Sequence, residues 1–204
     1  MTEASTRPPL VVASTNQGKI AELTDMLVDR YTVLGRPDDL PDTVEDGDTL
    51  EANASKKAIE VASHTGTDAL ADDTGLFVDA LDGRPGVWTA RYAGEDATDA
   101  DNVAKLLGEL ADRCPADDPD ARSAAFRTVI ALATHDGQVR LATGEVGGLI
   151  AAEPRGDGGF GYDPVFVPVE GDGRSFGQMT MGEKKTYSHR ARALAALVDL
   201  LGAG

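Results

Sequence analysis

Apolar, β-branched residues come first in the run Leu10-Val11-Val12-Ala13, followed by the polar stretch Ser14-Thr15-Asn16-Gln17-Gly18-Lys19 and then by apolar positions at Ile20, Leu23 and Leu27. Spacings of three and four mark one face of a helix, so the pattern predicts strand, short loop, helix. In open α/β sheets, ligands bind where the carboxyl end of a strand meets the amino end of the next helix. Residues 31–34 predict a second strand, and residues 36–48, which include Pro37 and Pro41, an acidic loop. Asp48 followed three residues later by Glu51 has the spacing of a helix cap, which places a helix from there to about His64.

Ala69-Leu70-Ala71 predicts a short strand ending in Asp72-Asp73-Thr74-Gly75, with Leu76-Phe77-Val78 still extended, and Gly83-Arg84-Pro85-Gly86 is turn chemistry. Helical spacing returns at Val103, Leu106, Leu107 and Leu110 within residues 98–110, and the Pro-containing acidic stretch 115–120 reads as a surface loop. Residues 124–134 and 139–146 predict an antiparallel pair joined through His135-Asp136-Gly137-Gln138, whose Asp-Gly is a hairpin signal. A glycine-dense loop at 156–161, a strand at 165–167 and a helix at about 188–201 complete the pattern. The sum is one α/β domain, a mixed sheet with flanking helices.

Composition narrows the function. The formal net charge is −16, from 35 acidic and 19 basic residues, which excludes general nucleic-acid binding because that needs a cationic face. Most of this charge reads as solvated surface, and its density suits a high-salt cytoplasm that screens self-repulsion. Residues 1–9 are polar and lack the apolar segment of a secretory signal, so they read as a flexible N-terminal extension. No run approaches the roughly 18 apolar residues of a membrane span. A cytoplasmic location and no membrane partner are expected. A single cysteine, Cys114, excludes an intrachain disulfide and a cysteine-rich zinc site.

Five elements carry candidate chemistry. Thr15-Asn16-Gln17-Gly18-Lys19 sets an amide, a glycine and an ammonium at a helix amino end, which favours an anion such as phosphate; the same residues also suit a plain cap. Asp72 and Asp73 leave an apolar strand side by side, where they repel and lose solvation unless a cation compensates them. Hard oxygen donors of this kind suit magnesium, although an acidic turn is the simpler alternative. Glu45 and Glu51 flank the start of a helix carrying Asn53, Lys56 and Lys57, a second carboxylate and a cation clamp. Gly158-Gly159-Phe160-Gly161-Tyr162-Asp163-Pro164 offers a flexible backbone and an aromatic ring for a planar ligand, with core packing as the alternative for Phe160 and Tyr162. Lys184 and Arg190 add cations, and Ser188 suits a helix cap. No G-x-S-x-G elbow is present and the three histidines lie in unrelated contexts, which disfavours a Ser-His-Asp hydrolase.

Taken in order, Ser14-Thr15-Asn16-x-Gly18-Lys19, Glu51-x-Asn53-Ala54-x-x-Lys57-Ala58, Ala71-Asp72-Asp73-Thr74-Gly75-Leu76, Pro85-Gly86-Val87-x-x-Ala90-Arg91-Tyr92, Gly158-Gly159-Phe160-Gly161-Tyr162-Asp163-Pro164-Val165-Phe166 and Ser188-His189-Arg190-Ala191-x-Ala193-Leu194 resemble the inosine/xanthosine triphosphate pyrophosphatase family. The resemblance spans residues 10–201. It implies an elongated α/β fold with two lobes around a central substrate cleft, a homodimer, and magnesium-dependent attack of water on the α-phosphorus of inosine, deoxyinosine or xanthosine triphosphate. By motif position Asp73 is the general base and a magnesium ligand, with Thr74 at the substrate. Ser14, Thr15, Asn16, Gln17, Gly18, Lys19 and Lys57 hold the phosphates. Phe160, Gly161, Tyr162, Asp163, Lys184, His189 and Arg190 hold the nucleotide, Phe160 by stacking and His189 and Arg190 near the 6-oxo edge of the base. The family's second acidic metal ligand falls at Val44 here; Glu45, one residue later, takes its place, with Asp72 as the alternative. Rival readings are a nucleotide sensor that does not cleave and a pyrophosphatase for pyrimidine or other modified nucleotides.

Overall fold

The computed structural model describes residues 7–114, 118 and 120–202. Residues 1–6 of the expected N-terminal extension, and residues 115–117 and 119 of the acidic loop, lie outside the described residues. β1 (Pro9–Val12) and α1 (Gln17–Leu27) realise the first strand, loop and helix, and Leu23 and Leu27, four residues apart, form the buried face of α1. β2 (Thr32–Gly35) starts one residue later than the pattern predicts. α2 (Leu50–Thr65) follows, but its cap is Thr49 rather than Asp48. Thr49 has the extended backbone a cap requires and its side chain accepts from the Ala52 N–H, whereas Asp48 lies one residue outside the helix. Gly66, in the left-handed conformation with φ 62°, ends α2.

β3 (Ala69–Val78) is a ten-residue strand that runs straight through Asp72-Asp73-Thr74-Gly75 rather than ending there. Pro85–Gly86, expected only as a turn, forms β4 and pairs antiparallel with Phe77 and Leu76 of β3. α3 (Asp99–Arg113) opens with a capping box in which Thr98 and Asp101 satisfy each other's backbone N–H groups. β5 (Ser123–Ala133) and β6 (Val139–Ile150) are sheet neighbours joined by a tight turn, which dictates the expected antiparallel pairing. β7 (Phe166–Pro168) pairs antiparallel with β6. The pattern missed α4 (Met181–Tyr187), and α5 (His189–Gly202) begins just after Ser188.

The sheet order is β2-β1-β3-β5-β6-β7, with β4 on β3. β1 is parallel to both β2 and β3, so with the antiparallel pairs the sheet is mixed, as expected. The chain forms two compact units, Met1–Asp73 with Val129–Ala142, and Thr74–Thr128 with Thr143–Gly204. Leu10, Val11, Val12, Leu23, Leu27, Ala54, Ala58, Val61 and Leu70 are buried in the first. The core of the second gathers Leu76, Val78, Leu81, Leu106, Leu110, Phe126, Val146, Ile150, Phe166 and Phe176 around a group of tilted and stacked rings.

The Thr98 cap yields a first test. Thr98→Ala removes an acceptor from the first turn of α3 and should lower the unfolding free energy by about 1 kcal/mol. A lower urea midpoint at unchanged slope would report it.

Candidate active site

In the first unit, β1 and β3 are parallel and in register at Val12 and Leu70. The residues that follow each strand therefore emerge at the same end of the sheet: the loop from Ser14 to Lys19 after β1, and Asp72 and Asp73 along β3. Successive strand residues point to opposite faces. The two aspartates accordingly find different cations. Asp72 Oδ2 meets Lys19 Nζ of α1 at 3.2 Å, with side-chain exposures of 0% and 18%. Asp73 Oδ1 meets Lys57 Nζ of α2 at 3.1 Å.

Lys57 is the hub of this cluster. Its ammonium donates to Asp73 Oδ1 (3.1 Å), to Glu45 Oε1 (3.1 Å) and to the backbone carbonyl of Asp72 (2.8 Å). Burial alone would lower its pKa, but the charges of Asp73, Glu45 and Asp72 outweigh that and hold it above the usual lysine value. Asp73 is shifted the other way from an ordinary ion-paired aspartate: burial raises its carboxyl above the usual value, with Lys57 and Lys19 pulling against it and Glu45 adding to the rise. The result is a buried carboxylate more basic than one at the surface.

Among the described residues no three of His, Cys, Asp and Glu form a ready metal cage. The carboxylates of Glu45 and Asp73, however, both lie within hydrogen-bond reach of the one Lys57 ammonium. Two hard oxygen donors beside a cation position suit magnesium, which takes few protein ligands and fills its shell with water and phosphate oxygens. Val44 is 68% exposed and its carbonyl accepts from Lys56 Nζ at 2.9 Å, while the next residue, Glu45, turns its carboxylate to Lys57 at 3.1 Å. Asp72 is turned to Lys19 instead.

The expected phosphate loop is self-capped. Ser14 Oγ accepts from the Asn16 N–H at 3.2 Å, and Asn16 Oδ1 from the Lys19 N–H at 3.1 Å. Thr15, Asn16 and Gln17 are exposed, and Gly18 and Lys19 half-buried. Because the first N–H groups of a helix lack intrahelical acceptors, this end of α1 keeps an anion-favouring potential in addition to its cap.

The second unit holds the other expected residues. Asp163 and Lys184 form a buried ion pair at 2.6 Å, their side chains 3% and 5% exposed. Asp163 Oδ2 also accepts from the Phe160 N–H at 2.9 Å, and Asp99 Oδ2 accepts from the Gly161 N–H at 2.7 Å, which together fold the glycine-rich loop. Gly159, at φ 75°, has no substitute: a Cβ there would lie 2.0 Å from Asp163 Oδ2. The loop leaves the Phe160 ring half-buried, with Lys184 Nζ 4.7 Å and Arg190 Cζ 5.6 Å from its centre. Tyr162 is a core residue, its hydroxyl donating to the Thr89 carbonyl at 3.0 Å and pushed to a higher pKa by burial.

Arg190 is fully buried and donates from Nη2 to Thr74 Oγ1 at 3.2 Å; that hydroxyl also pairs with Thr128 Oγ1 at 2.7 Å. His189 stacks on Phe126, ring centres 4.6 Å apart at 23°. Ser188 fulfils the cap expectation, its Oγ accepting from the Ala191 N–H at 3.2 Å.

A family model described as the Ham1 family matches residues 10–200. The chain belongs to the Ham1 family. Over 196 residues, 95% of this chain and 96% of the relative, it is 49% identical to a dITP/XTP pyrophosphatase of Geobacter sulfurreducens. The structure of a HAM1 protein from Coxiella burnetii superposes with a TM-score of 0.83 at 40% identity, covering 97% of this chain and 100% of that one. The crystal structure of a nucleoside-triphosphatase / dITP/XTP pyrophosphatase from Mycobacterium abscessus gives a TM-score of 0.72 at 42% identity, covering 93% of this chain and 98% of that one. In this Ham1 chain, sequence places Asn53 among the candidate elements without giving it a role and gives none to Asp99, Phe126 or Thr128, although each touches a predicted site residue. Of these, Asn53 carries a sequence signal, its place four residues before Lys57 in Glu51-x-Asn53-Ala54-x-x-Lys57.

Proposed function

We propose that this Ham1 protein hydrolyses non-standard purine nucleoside triphosphates, namely dITP, ITP and XTP, to the monophosphate and pyrophosphate. The observation that carries the reading is the buried pair Asp72 and Asp73, each matched to its own lysine, with Glu45 joined to Asp73 through Lys57. A sensor that only held nucleotides would need the cations but not buried, cation-compensated carboxylates. Asp73, made more basic by burial, takes the proton of a water that attacks the α-phosphorus; the bond to the bridging oxygen breaks and pyrophosphate leaves. Magnesium, held by Glu45 and Asp73, would supply positive charge for the triphosphate oxygens and the leaving group. Lys57 keeps Asp73 oriented and ionised, and Lys19 with the Ser14 to Gly18 loop receives phosphate. Thr74 follows Asp73 directly in β3.

Phe160 offers its ring for stacking, and His189 and Arg190 serve as donors to a 6-oxo group. Adenine presents a 6-amino donor at that edge, so a buried donor would face a donor at a cost of about 1–3 kcal/mol per unmet group, roughly 5- to 150-fold in kcat/KM. Arg190→Ala should therefore reduce activity on dITP and bring the dITP to dATP ratio of kcat/KM toward unity. Proportional loss on both substrates would make Arg190 a structural residue. We also take the chain to act as one domain, in a cytoplasmic homodimer, on small nucleotides rather than nucleic acid or membrane. The charge of −16 supports the exclusion of nucleic acid, and among the described residues no helix is long and apolar enough to cross a membrane. The functional test is pyrophosphate release by the wild-type protein over a nucleotide panel: dITP and XTP should be cleaved and ATP and GTP hardly at all.

A further inference from the structure

Asn53 lies one helical turn before Lys57 on α2, and only 2% of it is exposed. Its side chain makes three hydrogen bonds. Oδ1 accepts from the Gly47 N–H at 2.8 Å, while Nδ2 donates to the Gly47 carbonyl at 3.4 Å and to Asp73 Oδ2 at 3.3 Å. A backbone N–H can only donate, so Oδ1 must face it, and both Nδ2 hydrogens are thereby committed. One amide thus grips the peptide of Gly47, two residues after Glu45, and with its remaining hydrogen holds the Asp73 oxygen that does not face Lys57.

The loop side of this contact is built to match. A Cβ on Gly47 would lie 2.6 Å from Asn53 Oδ1 and 2.9 Å from Ala52 Cβ, so any larger residue forces the loop off the amide. Aspartate at 53 would lack both donors and add a third buried negative charge. Glutamine would overshoot by one methylene, and leucine would fill the space without bonding to either neighbour.

We propose that Asn53 is the positioning residue of the acidic centre: it sets the register of the 44–47 loop against α2, placing Glu45 at Lys57, and fixes the orientation of Asp73. This rests on the reading of Asp73 and Glu45 as the working carboxylates. The test compares Asn53→Ala and Gly47→Ala, which break the same contact from opposite sides, with Thr49→Ala, which weakens the cap of the same helix without touching Asp73. Misplacement of a reacting group by about 1 Å costs on the order of 100-fold in rate. Both contact variants should therefore lose kcat on dITP by about that factor while KM changes by less than about threefold. Thr49→Ala should keep kcat within about twofold, since a cap acts on helix stability.

Hydrogen exchange at the Gly47 amide, measured on protein free of nucleotide and metal, supplies a readout independent of turnover. It should speed up about tenfold or more in Asn53→Ala and stay at the wild-type rate in Thr49→Ala. An active wild type with kcat preserved in both contact variants, or a Gly47 amide that exchanges as before in Asn53→Ala, overturns the assignment. Should Asn53→Ala fail to fold, Gly47→Ala carries the kinetic arm. A wild type that releases no pyrophosphate overturns the functional reading instead, and Gly47 exchange then decides on the anchoring alone.

Discussion

Asp73→Asn is expected to abolish turnover while leaving the fold intact. The substitution is nearly isosteric, and Lys57 keeps Glu45 and the Asp72 carbonyl as acceptors, so the cluster loses one charge without opening a cavity. What disappears is the basic oxygen and one of two hard ligands. A general base contributes about 10²–10⁴-fold, and loss of a metal ligand adds to that, so the defect should reach the top of this range or exceed it. Steady-state pyrophosphate release, alongside a melting curve close to that of wild type, reads the outcome. Retention of more than about a tenth of the wild-type rate would remove Asp73 from the mechanism.

The largest expected effect on stability falls in the second unit. Lys184→Met takes from the buried Asp163 carboxyl the ammonium that lies 2.6 Å from it. Breaking a buried pair by removing one partner costs about 3–5 kcal/mol, a large part of the roughly 5–15 kcal/mol that holds a domain folded. The double variant Asp163→Asn with Lys184→Met should cost less than the sum of the single changes, because the two side chains are in direct contact and each single change already breaks the same pair. Denaturant unfolding of the four proteins completes the cycle. A cost below about 1 kcal/mol for Lys184→Met would mean that the pair behaves like a solvated surface pair, against its 2.6 Å length and 3% and 5% exposure. Because Asp163 also holds the Phe160 N–H, the same variant should loosen the ring offered to the base.

The first strand, loop and helix were legible because Leu10-Val11-Val12 and the Ile20, Leu23, Leu27 spacing each satisfy only one element type. The hairpin was legible because Asp136-Gly137 supports the positive φ, 93°, that the turn demands. β3 is longer than its pattern predicts: aspartate is a poor strand residue by itself, and here two lysines from separate helices compensate Asp72 and Asp73. α4 escaped although Thr180 and Glu183 form a capping box, since seven residues with only one buried member leave no apolar period to read. Cap position failed by a single residue at Asp48 and Thr49, where both side chains can cap and only backbone conformation decides.

Within the site, residue types were readable and partnerships were not. The pattern placed Lys57 and Asp73 on consecutive elements but did not reveal that one ammonium joins Asp73 to Glu45. Contacts such as Thr74 with Thr128, 54 residues apart, leave no local mark in the chain. Tyr162 shows the converse: it lies inside a site motif, yet the core takes up its side chain.

The central claim, that this chain cleaves non-standard purine triphosphates between the α- and β-phosphates, is tested most directly by product analysis in ¹⁸O-enriched water. Wild-type protein with magnesium should convert dITP and XTP to a monophosphate carrying the label and to unlabelled pyrophosphate, while ATP and GTP remain nearly untouched. Nucleoside diphosphate with labelled orthophosphate, or cleavage of ATP at a rate matching dITP, would contradict it.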